Sequence, residues 1–288
     1  MPSSPISGDR RDDAGFCKMT HPSPDPARCR YFLGGHDLEM QEIRQLLAGA
    51  GLGERVVDAS LPWGARASAY EPALLAALAL GETPVLVELE DDLGPGIERG
   101  RLILIDHHGA RAGQDQPSSL RQLFDLIAPR LNLRWTRRMA LVAANDIGHA
   151  PGLRAMGADA GEIRAIRDAD RQVQGVSPDI ETESRRAIKA AWQNGPLLVV
   201  ETSAPTSSAI TDFLLGEYGG TDPDNILVIM PEKLAFFGSG TVIAALAATQ
   251  GCWYGGALPV RGYWGAPRQS VPDSRAVAAR IVAQLDPG

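Results

Sequence analysis

Short apolar runs alternate along the chain with stretches in which apolar residues recur three and four positions apart. The runs are rich in Val, Ile and Leu and are bounded by Gly or Pro, which is typical of buried strands, whereas the recurring positions indicate helices with one apolar face. In the first two thirds of the chain, strands are predicted at 31–33, 55–58, 84–90 and 102–105. Helices are predicted around 43–47 and 120–127 and over 71–80, 136–144, 159–173 and 180–193. This alternation predicts an α/β fold whose N-terminal domain is a mainly parallel sheet flanked by helices.

The last third of the chain repeats the alternation on a smaller scale. Strands are predicted there at 197–200, 226–229 and 234–237, and helices at 207–217, 241–248 and 273–285. A Trp-, Tyr- and Gly-rich segment at 252–265 receives no assignment. We divide the chain into a disordered arm (1–28), a first α/β domain (29–178), a linker helix (179–195) and a smaller C-terminal α/β domain (196–288). The arm is rich in Ser, Pro, Asp and Arg and has no hydrophobic periodicity, which is typical of disorder.

The connection between the strands predicted at 84–90 and 102–105 is unusually short. Residues 91–100 contain a Gly-Pro-Gly sequence, and a parallel crossover needs about a dozen residues or more. Either the two strands are not sequential parallel neighbours, or the loop between them is tight. The sequence leaves both arrangements open.

Composition removes several classes of protein. The chain has 288 residues, of which 44% are hydrophobic, and its net charge is -7. Binding to a long nucleic acid draws on clustered cations, so it is not expected here. No uncharged apolar stretch reaches the roughly 18 residues that span a bilayer, so no membrane association is expected. The three cysteines form no CxxC pattern, and an odd number argues against a disulfide framework, so we expect a cytoplasmic protein.

The candidate chemistry begins at Asp106, His107 and His108, which directly follow the apolar run 102–105. Residues just past the end of a buried strand face the crevice where α/β proteins bind their ligands. One carboxylate and two imidazoles suit Mn²⁺, Zn²⁺, Fe²⁺ or Mg²⁺. Asp106 is the best candidate to bridge two ions, and His107 is a candidate ligand. His108 is either a ligand or a positive contact and proton donor near the leaving oxygen.

Other acidic residues lie where they could complete such a site. They follow the first predicted strand, end the third, or follow a later helix: Asp37, Glu39, Glu90, Asp146. Two divalent ions about 3.5 to 4 Å apart can bridge a water, lower its pKa and neutralise charge on a phosphoryl group during in-line attack. The sequence therefore predicts a two-metal site, provided that these side chains converge.

Four motifs in this order resemble those of the Asp-His-His phosphoesterase superfamily. The first is His36-Asp37 with Glu39, the second is an acid for which Glu88, Glu90 and Asp91 compete, the third is Asp106-His107-His108, and the fourth is Asp146. The resemblance implies an N-terminal domain with two metal ions, usually Mn²⁺, and a smaller domain that closes over the substrate. It implies the following metal ligands: His36, Asp37, Glu39, Glu90, Asp106, His107 and Asp146.

The chain also departs from the pattern of the family. His36 adjoins Asp37 directly, whereas most relatives separate the two, and Glu39 is one methylene longer than the usual Asp. Relatives that bind nucleic acid carry a glycine-rich stretch ending in His, but Gly255-Gly256 is followed by no histidine here. This difference favours a small phosphorylated or pyrophosphorylated substrate over an oligonucleotide.

Candidate substrate contacts lie in both domains. In the first domain, His149 could reach a phosphate, or it could only cap a helix. The charged residues within 164–171 predict an exposed helix face, although the resemblance also allows phosphate binders on such a helix. In the second domain, Ser239 lies between two glycines before a helix, a position that can bind an anion but is as compatible with a plain loop. Arg261, beside Gly255 and Gly256, could clamp a phosphate.

These observations favour a divalent-metal-dependent phosphoesterase or pyrophosphatase that acts on a small phosphorylated metabolite or nucleotide by two-metal in-line water attack. The competing hypothesis is a catalytically degenerate protein on the same scaffold that binds and senses a nucleotide or phosphometabolite. A homodimer is one assembly that the sequence leaves open.

Overall fold

The first half of the protein is built on a four-stranded parallel sheet. The computed structural model describes residues 24–108 and 116–286, so most of the predicted arm lies outside the described residues. The strands are β1 (Cys29–Leu33), β2 (Val56–Val57), β3 (Thr83–Val87) and β4 (Ile103–Ile105). They pair in parallel in the order β2-β1-β3-β4. This sheet confirms the predicted fold class.

Helices cover both faces of this sheet. They are α1 (Leu38–Gly49), α2 (Glu71–Ala79), α3 (Ser119–Leu131), α4 (Arg137–Ala155) and α5 (Ala160–Val173). Because successive strand residues point to opposite faces, Tyr31 and Leu33 join one buried cluster and Phe32 joins another. The first cluster includes residues of α1, α3, α4 and α5, and the second includes residues of α2. The sheet is therefore buried on both sides, as parallel sheets usually are.

The connection between β3 and β4 resolves the two alternatives that the sequence left open. The two strands are parallel neighbours, with Val85 opposite Ile103. The predicted strand 84–90 was too long, because β3 ends at Val87 and Glu88 adopts a left-handed backbone conformation with φ 52°. The connection accordingly runs from 88 to 102, which is long enough for a parallel crossover.

The second half is a six-stranded mixed sheet. Its strands are β5 (Trp192–Asn194), β6 (Leu197–Glu201), β7 (Ile226–Ile229), β8 (Lys233–Ser239), β9 (Trp253–Gly255) and β10 (Arg261–Pro267), and its helices are α6 (Pro178–Lys189), α7 (Ser208–Phe213), α8 (Gly240–Leu246) and α9 (Ser274–Leu285). The order is β5-β6-β7-β8-β10-β9, with β6 and β7 parallel and the other pairs antiparallel. The helix predicted over 180–193 ends earlier, because β5 and β6 form a hairpin through Gly195, whose φ is 57°.

Ion pairs connect the two halves. From α5, Arg167 Nε donates to Asp212 Oδ1 of α7 at 2.9 Å, and Arg171 pairs with the same carboxylate. From α4, Arg154 Nε donates to Glu217 Oε1 at 2.6 Å. Arg167 and Asp212 are 4% and 2% exposed, so this contact lies inside the protein. Within the described residues, no helix is both long and apolar enough to cross a bilayer.

Candidate metal centre

Four side chains converge at the carboxyl end of the parallel sheet. Glu39, Glu88, His107 and Asp146 each offer one ligand atom, and these atoms all lie within 4.8 Å of one another. His107 Nε2 lies 2.7 Å from Asp146 Oδ2, 3.2 Å from Glu88 Oε1 and 3.7 Å from Glu39 Oε2. We call these four residues the acidic cluster. Three carboxylates around one imidazole nitrogen form a set of hard and borderline donors that suits a divalent transition ion.

The fold explains why the four side chains meet. Glu88 and His107 follow β3 and β4, and the carboxyl ends of parallel strands reach the same edge of the sheet. Glu39 lies in the first turn of α1 and Asp146 lies in α4. The turn after β1 also packs closely on the site, because a Cβ added at Gly34 would lie 2.3 Å from the backbone oxygen of Glu88.

The cluster atoms are buried and lack hydrogen bonds. His107 Nε2 lies within 3.2 Å of Asp146 Oδ2 and Glu88 Oε1, but the angles are not those of hydrogen bonds. Within the described residues, Glu39 Oε2, Glu88 Oε1, His107 Nε2 and Asp146 Oδ2 therefore have no partner with hydrogen-bonding geometry. The other oxygen of Glu39 accepts the backbone N–H of Leu120 at 2.9 Å, which orients the carboxylate. Buried polar atoms are rarely left unpaired, and a buried charge needs a partner of opposite sign. A divalent cation fits this requirement.

The electrostatics of the site point the same way. Burial, followed by the charges of Asp146 and Glu88, raises the pKa of Glu39 well above its usual value. Burial and the charge of Glu88 raise the pKa of Asp37 to about 7. Burial alone would lower the pKa of His107, but the carboxylates of Asp146 and Glu88 raise it to about 10. The site thus holds more negative charge than its own residues neutralise, and a bound cation would relieve that repulsion.

Of the three acids that compete for the second motif, the structure brings Glu88 into the cluster. The side chain of Glu90 is 62% exposed and lies 3.3 Å from Arg66 Nε. Asp91 Oδ2 accepts from Arg99 Nε at 2.8 Å, inside the loop between β3 and β4. Neither of these acids reaches the cluster, because each follows Glu88 after the backbone has turned away from the sheet.

The two neighbouring residues of the first motif, His36 and Asp37, lie in different environments. Asp37 caps α1 by accepting the backbone N–H of Met40 at 2.8 Å, and it lies close enough to Glu88 for that charge to raise its pKa. His36 is exposed, and its backbone N–H donates to Leu61 at 2.9 Å. Successive residues in extended backbone point in opposite directions, and Asp37 is extended. Asp37 is therefore close enough to interact with the cluster, whereas His36 is exposed and belongs to neither group of candidate ligands.

Asp106 and His108 interact with each other at the rim of the site. Asp106 Oδ1 accepts the backbone N–H of His108 at 2.9 Å and lies 3.2 Å from His108 Nδ1. His108 Nδ1 is also 3.8 Å from Glu88 Oε1, so Glu88, His107 and His108 form a second, overlapping group of candidate ligands. Asp106 lies beside the cluster and outside both groups, and its bridging role stays a prediction.

The candidate substrate residues of the second half surround one end of β8 and β10. Ser239 donates its backbone N–H to Asn225 Oδ1 at 3.1 Å, and Arg261 donates to the backbone oxygen of Asp224 at 2.7 Å. Gly255 and Gly256 pack tightly on β10, where an added Cβ would lie 2.7 Å from Tyr263 Oη and 2.6 Å from Gly262 Cα, respectively. Burial and then the charge of Asp146 raise the pKa of Tyr263 in β10. Substrate contacts of these residues stay predictions.

Sequence reasoning misjudged one group of residues near the site. The run within 164–171 predicts an exposed charged face, but Arg167 and Arg171 are 4% and 3% exposed. They are buried because Asp212 lies on the second half of the protein and pairs with both. The spacing of four residues between the two arginines could have indicated a shared helix face, but nothing local identifies their distant partner.

No family model matches the sequence, and no curated protein matches it either. Among solved structures, RecJ from Thermus thermophilus in complex with Mn²⁺ is 13% identical over 88% of this chain, with a TM-score of 0.48, and the alignment spans 51% of that RecJ chain. The pGpG-specific phosphodiesterase PggH from Vibrio cholerae is 13% identical over 88% of this chain and 99% of that chain, with a TM-score of 0.44. A DHH domain from a protein described as a member of a ribosomal protein family is 13% identical over 90% of this chain and 87% of that chain, with a TM-score of 0.48. At these levels of similarity, an assignment of function has to rest on the side chains of the site.

Proposed function

We propose that the protein is a divalent-metal-dependent phosphoesterase that acts on a small phosphorylated metabolite or nucleotide. The observation that carries this proposal is the acidic cluster, whose four donor atoms are buried, lie close together and lack hydrogen bonds. Ion pairs that serve only stability normally include a permanent cation, whereas the cluster offers a single imidazole to three carboxylates. Two-metal phosphoesterase sites rely on such groups of carboxylates and imidazoles.

A bound divalent cation would lower the pKa of a water molecule and neutralise charge on a phosphoryl group. The residues of the chain then have separate tasks. Glu39, Glu88, His107 and Asp146 would hold the cation. His108, whose side chain is 46% exposed, would contact a phosphoryl oxygen at the rim, and Asp106 would orient its imidazole through Nδ1.

We expect Mn²⁺ as the ion and two ions at full occupancy, with Mg²⁺, Zn²⁺ and Fe²⁺ as alternatives. The acidic cluster can supply one complete set of ligands. Asp37 and Asp106 lie beside it and would contribute to the second ion together with Glu88. Burial and the charge of Glu88 raise the pKa of Asp37, as expected for two neighbouring acids in the absence of the cation that would bind to both.

A small substrate agrees with the charge and the composition of the chain. The net charge of -7 gives no general attraction to a long polyanion. The segment after Gly256 supplies no histidine. Phosphomonoesters, short dinucleotides and pyrophosphate are therefore the substrates to test first.

A second candidate function is binding without turnover. It is favoured by the placement of His36, which is exposed and belongs to neither group of candidate ligands. A protein that holds one ion and a phosphorylated ligand, but cannot assemble a second ion, would act as a sensor. Binding of metal and phosphate without release of product would identify this case.

The test combines metal analysis with a screen for phosphate release. The purified chain is loaded with Mn²⁺ and incubated with phosphomonoesters, dinucleotides and pyrophosphate, and product is measured for the wild type, Glu88→Gln and Glu90→Gln. We expect the wild type and Glu90→Gln to release product and Glu88→Gln to lose both metal and activity. A wild-type chain that binds no divalent metal, or equal activity in the wild type and Glu88→Gln, would refute the proposal.

A further inference from the structure

His149 interrupts α4 in an unusual backbone conformation. Its φ is 47° and its ψ is -144°, although the helix continues on both sides of it. An L-residue with positive φ is strained and is retained only where the surroundings enforce it, often at functional sites. The interruption occurs three residues after Asp146, which belongs to the acidic cluster. The chain packs closely around the interruption, because a Cβ added at Gly152 would lie 2.4 Å from the backbone oxygen of Ala144.

Arg167 determines which nitrogen of His149 carries the proton. Arg167 Nη1 lies 3.3 Å from His149 Nδ1, in a partly buried contact. A guanidinium can only donate hydrogen bonds, so His149 Nδ1 must be the acceptor and the proton of the neutral ring must be on Nε2. Desolvation by the surrounding protein, followed by the positive charge of Arg167, also lowers the pKa of His149, which favours the neutral ring.

The guanidinium itself is held rigidly. Arg167 Nη1 also donates to Asn145 Oδ1 at 2.9 Å and to Asp170 Oδ2 at 2.7 Å. It has two hydrogens for three acceptors, so one hydrogen is shared, and Arg167 Nε donates to Asp212 Oδ1 at 2.9 Å. Asn145 adjoins the cluster residue Asp146, and Asp212 belongs to the second half of the protein. Arg167 therefore connects the ring of His149, the segment that carries Asp146 and the second half of the fold.

The other ring nitrogen is left as a donor. His149 as a whole is exposed, and its Nε2 makes no hydrogen bond to any residue within 24–108 or 116–286. The ring follows the cluster residue Asp146 by three positions, and the charge of Asp146 acts on it. A fixed N–H group at such a position is suited to bind a negatively charged oxygen. The alternative role of His149, a structural cap, would use the backbone groups nearby and would not require an exposed ring.

We propose that His149 donates a hydrogen bond from Nε2–H to a non-bridging phosphoryl oxygen of the substrate, and that Arg167 is the positioning residue that fixes this tautomer. The inference rests on the proposed phosphoesterase function and adds a residue that recognises the substrate. Because Arg167 is anchored to Asp212, the donor is in place only where the two halves of the protein are docked.

Binding of inorganic phosphate to the Mg²⁺-loaded chain tests the proposal by calorimetry. His149→Ala and His149→Gly both remove the donor, and the glycine variant also relieves the backbone strain. His149→Gln keeps a side-chain N–H. We expect the Ala and Gly variants to bind phosphate about 10- to 100-fold more weakly, as is typical for loss of a hydrogen bond to a charged group, and the Gln variant to stay within about 5-fold of the wild type.

A second measurement uses the wild-type chain alone, so it does not depend on how the variants fold. Long-range ¹H–¹⁵N NMR of the histidine rings is expected to show His149 protonated at Nε2 and not at Nδ1, with Nε2 shifting on addition of phosphate. Exposed His36, which belongs to neither group of candidate ligands, serves as the internal reference.

The outcomes separate this inference from the proposed function. If the wild type binds Mg²⁺ and phosphate, and the Ala and Gly variants bind phosphate equally well, the inference is overturned and the phosphoesterase proposal stands. A ring protonated at Nδ1, or doubly protonated near neutral pH, overturns it as well. If the wild type binds a divalent metal but no phosphate, the inference alone is overturned. If it binds neither Mg²⁺ nor any other divalent metal, both proposals fail.

Discussion

Replacing Asp37 by Asn separates the two roles that this residue has at the edge of the acidic cluster. Asp37 caps α1 by accepting the N–H of Met40 at 2.8 Å. Asn is about as good an N-cap as Asp, so the helix should keep its cap. The substitution therefore removes mainly the negative charge. The change in the free energy of unfolding measures how much that charge destabilises the metal-free protein.

The cost follows from the pKa of Asp37, which burial and the charge of Glu88 raise from 3.8 to about 7. An acid with a raised pKa in the folded state binds its proton more tightly there than in the unfolded chain, so the free energy of unfolding falls as the pH rises between these two values. At about 1.4 kcal/mol per pKa unit, the loss above pH 7 is at most about 4 kcal/mol. Because Asn does not ionise, the variant does not lose this free energy of unfolding as the pH rises.

The assay is urea unfolding of the wild type and Asp37→Asn in the presence of EDTA. Near pH 4 the two proteins should be equally stable, and near pH 8 the variant should be more stable by up to about 4 kcal/mol. Saturating Mn²⁺ should then stabilise the wild type more than the variant, since a ligand at 100 times its Kd contributes about 2.7 kcal/mol.

Glu90→Gln is the matched control, because the side chain of Glu90 is exposed and lies outside the cluster. We expect its effect to stay within about 0.5 kcal/mol at either pH. If metal-free Asp37→Asn is no more stable than the wild type near pH 8, burial and the charge of Glu88 do not destabilise the Asp37 carboxylate as described, and the electrostatic argument for a cation fails.

Three further predictions concern the residues that form or support the site. Glu88→Gln should weaken Mn²⁺ binding by at least about 100-fold in calorimetry, whereas the affinity of Glu90→Gln should stay within about 2-fold of the wild type. If Glu90→Gln has the larger effect, Glu90 is the acid of the second motif. In urea unfolding, Arg167→Met should cost about 3 to 5 kcal/mol because it leaves buried carboxylates unpaired. Arg137→Met breaks only an exposed ion pair and should lower the free energy of unfolding by less than about 1 kcal/mol. Equal losses for Arg167→Met and Arg137→Met would show that the buried pairs of Arg167 do not stabilise the fold more than an exposed pair does. Gly34→Ala should lower the free energy of unfolding by about 1 to 3 kcal/mol and should weaken Mn²⁺ binding, because its Cβ would lie 2.3 Å from the backbone oxygen of Glu88. Unfolding and Mn²⁺ binding equal to those of the wild type would show that this contact is not tight.

The elements that could be predicted from the sequence are those with strong local patterns. The strand at 226–229 matches β7, and the helices at 159–173 and 273–285 match α5 and α9 within one residue at each end. Both helices are capped by an Asp, which marks the start of a helix in the sequence itself. In contrast, β9 and β10 were not predicted, because their Gly and Trp residues carry no alternating pattern, although the two strands pair with each other as neighbours in sequence.

The same distinction applies to the site. Asp106, His107 and His108 could be placed at a strand end because an apolar run directly precedes them. The choice of Glu88 over Glu90 could not be made, since it depends on the left-handed backbone that ends β3 at this position. The burial of Arg167 could not be predicted either, because its partner Asp212 lies on another element far along the chain.

The most direct test of the central claim is anomalous diffraction from a crystal of the protein grown with Mn²⁺. The account predicts a manganese peak within about 2.5 Å of ligand atoms of Glu39, Glu88, His107 and Asp146. A crystal in which these four side chains bind no ion, or in which Mn²⁺ binds only elsewhere, would contradict it.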